Sequence, residues 1–159
     1  MKLIKFVTSI SFIFFLFFSG IGFSSILGNV NPELLRKELI ALYGDKDPVY
    51  EFYSERKYKS FWISDSENLY DLIGVLDSAE KHGLEGSKYF IERLKTGISS
   101  KGIPYTSHVY ELLAMKAALK FTNHISSGML RPSAIAPEIN VFPKVPKVSR
   151  ILLQLSNAT

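Results

Sequence analysis

Helix start signals and glycine stop signals recur along this chain, and they constrain its fold more than any other feature. Asn31 precedes Pro32 and Asp47 precedes Pro48, so that each capping residue is followed by a proline at the first helical position. Gly128 follows an apolar stretch of helical spacing, where a glycine ends a helix readily. These signals predict an all-α fold, a small bundle of about four to five helices.

The best-marked helix of the bundle begins near residue 65. Ser64 and Glu67 have the spacing of a capping box, in which the serine hydroxyl accepts a hydrogen bond from the Glu67 N–H and the carboxylate reaches back. We expect a helix over residues 65–82. Apolar residues recur on one face of it, and this face is expected to be buried: Leu69, Leu72, Ile73, Leu76 and Ala79.

The end of that helix carries the most specific local motif, over residues 79–89. Gly83 lies where the apolar stripe stops, so we expect it to adopt a left-handed conformation, with His82 in the last turn near the negative end of the helix dipole. Leu84 would then contact Ala79, as in a Schellman ending. Together with Tyr89, these residues are interpreted as a structural motif rather than a catalytic one.

Two further helices follow. A third one is predicted to start at Gly86 and to end at Gly97, and the longest to start at Thr106 and to end at Gly128. The longest helix is expected to be central in the bundle because small residues on it allow a close neighbour: Ala114, Ala117 and Ala118.

The C-terminal region differs in composition from the rest. Prolines forbid a continuous helix there, which predicts an extended segment before a short amphipathic helix within residues 148–155: Pro132, Pro137, Pro143 and Pro146. The same region is mildly basic and would be solvated or touch an anionic wall polymer or membrane surface. Its cations are Arg131, Lys144, Lys147 and Arg150.

The N-terminus has the features of an export signal. Lys2 and Lys5 precede an apolar run over residues 6–18, and small residues follow, with cleavage expected near Gly22 or Ser24. The alternative is an uncleaved membrane anchor. We therefore divide the chain into residues 1–25 as signal or anchor, 26–136 as a helical domain and 137–159 as a linker with a short helix. Without the two lysines the formal charge falls from +4 to +2, and no dense basic run predicts nucleic-acid binding.

No reactive group emerges from the motifs. The chain has no cysteine, which excludes a thiol nucleophile and a Cys-ligated metal. His82, His108 and His124 are isolated, without a ligand at helical spacing, and no nucleophile elbow or phosphate loop is present. The acidic residues of the helix predicted over residues 65–82 fit a solvated face better than paired catalytic carboxylates. We thus expect no catalytic, cofactor-binding or metal-binding residue.

Aromatic residues are concentrated within a short stretch, residues 50–70. They either build the core or stack on a sugar or partner. Tyr58 and Trp62 are the two expected to reach the surface, because their neighbours are charged or polar, and they are the candidate ligand contacts. The other members are Tyr50, Phe52, Tyr53, Phe61 and Tyr70.

Taken in order, several short segments resemble the helical scaffold domain of large L,D-transpeptidases, the peptidoglycan cross-linking enzymes of the bacterial periplasm. They are Tyr53, residues 58–62, residues 76–84 with Tyr89, and the Leu130 and Pro132 that follow the helix ended by Gly128. The resemblance covers residues 31–136. In that family, cross-linking depends on a cysteine in a separate catalytic region, so the resemblance implies no catalytic residue in this sequence.

The resemblance implies a non-catalytic, scaffold-like protein exported to the periplasm of a Gram-negative bacterium, or anchored in the inner membrane and facing the periplasm. Its expected partner is peptidoglycan or a separately encoded catalytic chain, with membrane contact only through an uncleaved N-terminal segment. A truncated remnant of an L,D-transpeptidase would have the same sequence features. The alternatives are the non-catalytic half of a split L,D-transpeptidase and a secreted protein-interaction module.

Overall fold

The computed structural model describes residues 29–99, 106–129 and 146–157. They form six α-helices and no strand: α1 (Pro32–Tyr43), α2 (Pro48–Glu55), α3 (Ser66–Asp77), α4 (Ile91–Ser99), α5 (Ser107–Ser127) and α6 (Val148–Ser156). Two short 3-10 helices, Ala79–His82 and Gly86–Tyr89, join α3 to α4. The all-α prediction is confirmed. The helix count reaches six because the segment after Asp47 and the C-terminal segment each form a complete short helix.

The first two helices begin as their caps predict. The Asn31 side chain accepts hydrogen bonds from the N–H groups of Glu33 at 3.0 Å and Leu34 at 3.2 Å, and the Asp47 carboxylate accepts one from Val49 at 2.8 Å. In both helices proline occupies the first turn, where its missing N–H leaves no intrahelical bond unmade.

The capping box predicted for Ser64 and Glu67 is wrong. Asp65 is the N-cap of α3 and accepts the Glu67 N–H at 3.0 Å, whereas the Ser64 hydroxyl donates to the Ser60 carbonyl at 2.6 Å. The predicted continuous helix over 65–82 is also wrong, because α3 ends at Asp77 and the chain tightens into a 3-10 helix. The Ser78 hydroxyl donates to the Val75 carbonyl at 2.7 Å, which occupies one carbonyl at this break.

Helix α4 corrects two further predictions. It begins at Ile91, after the 3-10 helix Gly86–Tyr89, and it continues through Gly97 to Ser99. Gly97 is therefore inside the helix. Its missing side chain makes room for Tyr110, since a Cβ at Gly97 would lie 2.6 Å from the Tyr110 Cζ atom.

Helix α5 is the centre of the bundle, as its alanines predict. It packs against α1, α3 and α4, while α6 packs on α2 and contributes to the same core. The buried residues of α5 are Tyr110, Glu111, Leu112, Ala114, Met115, Ala117, Ala118 and Phe121. The structure thus surrounds one long helix with short ones.

Several sequence predictions lie outside the described residues. These are the signal or anchor in residues 1–25, the cleavage site, and the extended proline segment with Pro132, Pro137 and Pro143. Within the described ranges, no helix combines the length and apolar character that crossing a bilayer requires.

Candidate functional site

A cleft of about 450 Å³ opens where two helical segments end side by side. One wall is the turn that follows the first 3-10 helix, and the other is the end of α5. Four of the lining residues belong to the motifs selected from the sequence, although they come from distant parts of the chain. The lining consists of His82, Gly83, Leu84, His124, Ile125, Gly128 and Met129.

The first wall is a complete Schellman turn. Gly83 has φ +70°, in the left-handed region that the sequence predicts for it. The Leu84 N–H donates to the Ala79 carbonyl and the Gly83 N–H to the Glu80 carbonyl, both at 3.0 Å. Ala79 and Leu84 are buried, whereas His82 is exposed. The turn therefore fixes a short, closed loop that holds His82 at the mouth of the cleft.

The second wall is the last turn of α5. Gly128 has φ +79°, and its N–H donates to the His124 carbonyl at 2.8 Å. Thr122 and Ser126 donate their hydroxyls to carbonyls one turn earlier, at 2.9 and 2.7 Å. The ending is thus well bonded, and it places the half-buried Ile125 and Met129 in the floor of the cleft.

A tyrosine–histidine pair supports the cleft from beneath. The Tyr89 hydroxyl lies 2.9 Å from Nδ1 of His124, and the Tyr89 ring meets Phe121 edge to face at 5.3 Å. Burial raises the pKa of Tyr89, and burial together with Lys120 and Lys88 lowers the pKa of His124. A neutral imidazole can accept a hydrogen bond from the Tyr89 hydroxyl at Nδ1 and donate another from Nε2–H.

The groups at the cleft suit hydrogen bonding to an uncharged polar ligand. The last four carbonyls of a helix lack intrahelical donors, and the turn bonds described above occupy only some of them at these two helix ends. His82 and His124 add imidazole donors or acceptors, and Leu84, Ile125 and Met129 supply an apolar floor. Tyr89 is buried and its hydroxyl is engaged with His124, so Tyr89 offers the cleft no free phenol.

A second polar site lies at the heart of the bundle, around Glu111 on α5. Its carboxylate accepts the Tyr53 hydroxyl at 2.6 Å and the backbone N–H of Phe61 at 2.7 Å, Trp62 at 3.1 Å and Ile63 at 3.1 Å. Three successive N–H groups that converge on one anion form a backbone nest. Glu111 thus ties the loop 60–63 to the central helix.

Burial and hydrogen bonding act on Glu111 in opposite senses. Burial raises the pKa of its carboxyl, and the bonds from Tyr53 and the loop N–H groups counter that shift. Burial, followed by the charge of Glu111, raises the pKa of Tyr53 well above its usual range. The pair is a structural anchor, because both groups are enclosed and out of reach of a ligand.

Glu111 is not among the residues predicted from the sequence, although a signal for it is present there. Glu111 precedes Ala114 and Met115 by one helical turn, so it falls on the buried face of α5. A carboxylate there requires several internal donors. The apolar periodicity of a helix gives no information about hydrogen-bond donors in a loop that is distant in sequence.

The prediction that Trp62 reaches the surface is wrong. Its side chain is 0% exposed, and its ring packs edge to face on Phe61 at 4.8 Å. Trp62 is buried despite its polar neighbours in sequence because its backbone N–H bonds to the buried Glu111 carboxylate, which holds the loop in the core. Trp62 Nε1 has no hydrogen-bond partner among the described residues, so its contribution is packing. Trp62 is a core residue and is not available for ligand contact.

Tyr58, the other candidate contact, is half-buried and keeps its hydroxyl near the surface. This hydroxyl donates to the Tyr50 hydroxyl at 2.8 Å, and the two rings are 5.9 Å apart. It lies at the end of α2, away from the cleft lining. The structure therefore separates Tyr58 from the residues of the 79–89 motif.

No group of three or more His, Asp or Glu side chains in the described part of the chain could hold a metal ion. The acids of α3 do not converge: Asp65 caps the helix and Asp77 pairs with Lys95 at 2.7 Å. Inside the bundle, the Tyr53 hydroxyl donates to the Glu111 carboxylate.

Comparison with known proteins supports the family resemblance. The family model described as Scaffold domain matches residues 47–159, which is more than half of the chain. The protein belongs to this family, in agreement with its resemblance to the scaffold domain of L,D-transpeptidases. No curated protein and no solved structure shows significant similarity to it. The match includes α2 to α6 and begins after α1.

Proposed function

We propose that this protein is a non-catalytic scaffold of the bacterial cell envelope that binds peptidoglycan through the cleft between residues 82–84 and 124–129. The observation that carries the proposal is the membership in the Scaffold domain family together with the position of the 79–89 motif in that cleft. The N-terminal Lys2, Lys5 and apolar run support export from the cytoplasm.

The chemistry of the cleft fits the glycan and peptide parts of peptidoglycan. Hydroxyl and amide N–H groups of the polymer would donate to helix-end carbonyls, and imidazoles at the mouth would bond its carbonyl oxygens. The apolar floor would pack on a sugar face or on acetyl and alanyl methyl groups. Binding of this kind needs no reactive side chain, which agrees with the structural use of Glu111, Tyr53 and Tyr89.

The test is co-sedimentation with purified sacculi, using the full chain with its N-terminal segment, purified from envelope. We expect the protein to pellet with the sacculi and His82→Ala to reduce the pelleted fraction. The matched control is His108→Ala, since His108 is on α5 but outside the cleft. Recovery of the wild-type protein entirely in the supernatant would count against peptidoglycan binding.

A separately encoded catalytic chain is the second candidate partner. The observation that favours it is the absence of cysteine from this chain, in a protein resembling enzymes that cross-link through one. The test is affinity purification of the full chain after cross-linking in the native cell. A cysteine-containing transpeptidase in the eluate supports a split enzyme, and its absence from the eluate would count against one.

A further inference from the structure

A groove of about 360 Å³ lies where α1, α4 and α5 meet, and it shares no lining residue with the cleft. Both α1 and α4 pack on α5, which supplies half of the lining. The family match begins at residue 47, so the wall that α1 contributes lies outside it. We propose that this groove is a self-association surface, occupied by the same surface of a second copy of the chain.

The apolar part of the groove is open to water. Leu112 is buried, whereas Leu42 is 62% exposed and Val109 is 38% exposed. Leu34, which is also exposed, lies two turns before Leu42 on the same side of α1. Single exposed apolar side chains are ordinary on a protein surface, but these border a cavity. A second protein surface placed over them removes contiguous apolar area from water, which favours association.

Charged side chains of both signs line the same groove. Glu38 comes from α1, Arg93 from α4 and Lys116 from α5. None of the three makes an ion pair within the described part of the chain. The Lys116 Nζ atom lies 5.7 Å from the centre of the Phe90 ring, a cation–π contact that supplies no negative charge. The groove therefore offers one acid and two bases to a partner.

This combination of charges favours a second copy over an anionic polymer or a lipid surface. In a two-fold symmetric dimer the same patch faces itself, so every contact occurs twice with the roles of the two copies exchanged. Glu38 of one copy then meets Arg93 or Lys116 of the other. An anionic surface would instead place negative charge against Glu38. Leu42 lies one helical turn from Glu38 and would enter the facing groove together with it.

Sedimentation velocity of the full chain, purified from envelope, tests the proposal from micromolar to millimolar concentration. We expect a reversible dimer whose fraction rises with concentration. Leu42→Ala should raise the Kd of the dimer at least about fivefold, since it removes the apolar group that enters the facing groove. Leu153→Ala is the matched control, because Leu153 is 61% exposed on α6, and it should leave the Kd unchanged.

A protein that stays monomeric throughout this range would overturn the proposal and leave the groove to a segment of another protein. A dimer whose Kd changes in neither Leu42→Ala nor Glu38→Arg would overturn it as well, because the contact would then lie elsewhere in the chain.

Charge reversal tests the pairing across the two-fold axis. Glu38→Arg and Arg93→Glu should each raise the Kd about tenfold, because each places like charges opposite one another. The two substitutions combined in one chain should recover most of the lost affinity, since opposite charges face each other again. Neither position is buried, so the variants should keep the circular dichroism spectrum of wild type. A folded double variant that binds more weakly than either single variant would contradict the pairing.

Discussion

Tyr53 on α2 donates its hydroxyl to Glu111 on α5 at 2.6 Å, deep inside the bundle. The same carboxylate collects the N–H groups of Phe61, Trp62 and Ile63. One acidic side chain thus fixes α2, the loop 60–63 and the central helix relative to one another. An irregular loop can lie in the core because its backbone donors are satisfied there.

Replacing Glu111 by Gln tests this anchor. The amide keeps the shape, but its NH₂ group faces N–H donors and leaves them unpaired, so we expect the free energy of unfolding to fall by about 2–3 kcal/mol. Urea denaturation followed by circular dichroism measures it. Glu80→Gln, at an exposed position, is the control and should stay within about 0.5 kcal/mol of wild type. Equal stability of the two variants would show that Glu111 is not an anchor.

Substitutions at two helix endings of the same type should change stability in opposite directions. Gly83 and Lys57 both occupy the left-handed position of a Schellman turn. Gly83→Ala should destabilise the protein by about 1–2 kcal/mol. The cost would come from backbone strain alone, because an added Cβ would meet no atom within 4 Å. Lys57→Gly should stabilise it by about 0.5–1 kcal/mol. Thermal unfolding of both variants checks the pair, and a change of the same sign in both would contradict the assignment.

Two helical glycines form a second matched pair. Gly97→Ala should cost about 2 kcal/mol or more because the new Cβ would overlap the Tyr110 ring. Gly74→Ala, in α3, meets no neighbouring atom and should raise stability by about 0.5–1 kcal/mol, since alanine is the better helix former. We expect the denaturant midpoint of Gly97→Ala to lie below that of wild type and the midpoint of Gly74→Ala to lie above it. A stable Gly97→Ala protein would place Tyr110 elsewhere.

The Tyr89–His124 pair predicts a pH dependence of stability. The pKa of His124 is lowered in the folded state, so the unfolded chain binds more protons as the pH falls through about 6.5. Stability should therefore rise with pH and be lost on acidification. Thermal midpoints between pH 5 and pH 8 should change less in His124→Gln than in wild type. Asn123→Ala, an exposed neighbour on α5, should keep the wild-type slope.

Local signals in the sequence predicted much of the fold. Asn31 and Asp47 before proline, Gly83 and Gly128 each act within one turn of helix, and the structure has the predicted ends there. Caps of this kind involve backbone groups two to four residues away. The turn of the 79–89 motif is specified locally in the same way, and its residues His82, Gly83 and Leu84 line the cleft.

Three positions could not be predicted, for two different physical reasons. Ser64 fits a capping box in sequence, yet Asp65 is the cap of α3. Trp62 has polar neighbours in sequence but is enclosed by Phe61 and the loop that Glu111 holds. The left-handed Lys57 has no glycine to mark it. A distant contact decides the position of Trp62, whereas local hydrogen bonds select Asp65 over Ser64 and close a Schellman turn at Lys57 without a glycine.

Hydrogen exchange with and without soluble peptidoglycan fragments tests the central claim most directly. The full chain is incubated with fragments of digested sacculi, and the amide exchange of each segment is measured by mass spectrometry. We expect added protection confined to peptides that contain residues 82–84 and 124–129, with α6 unchanged. Protection elsewhere, or identical exchange with and without the fragments, would contradict the account of this protein as a scaffold that binds peptidoglycan in its cleft.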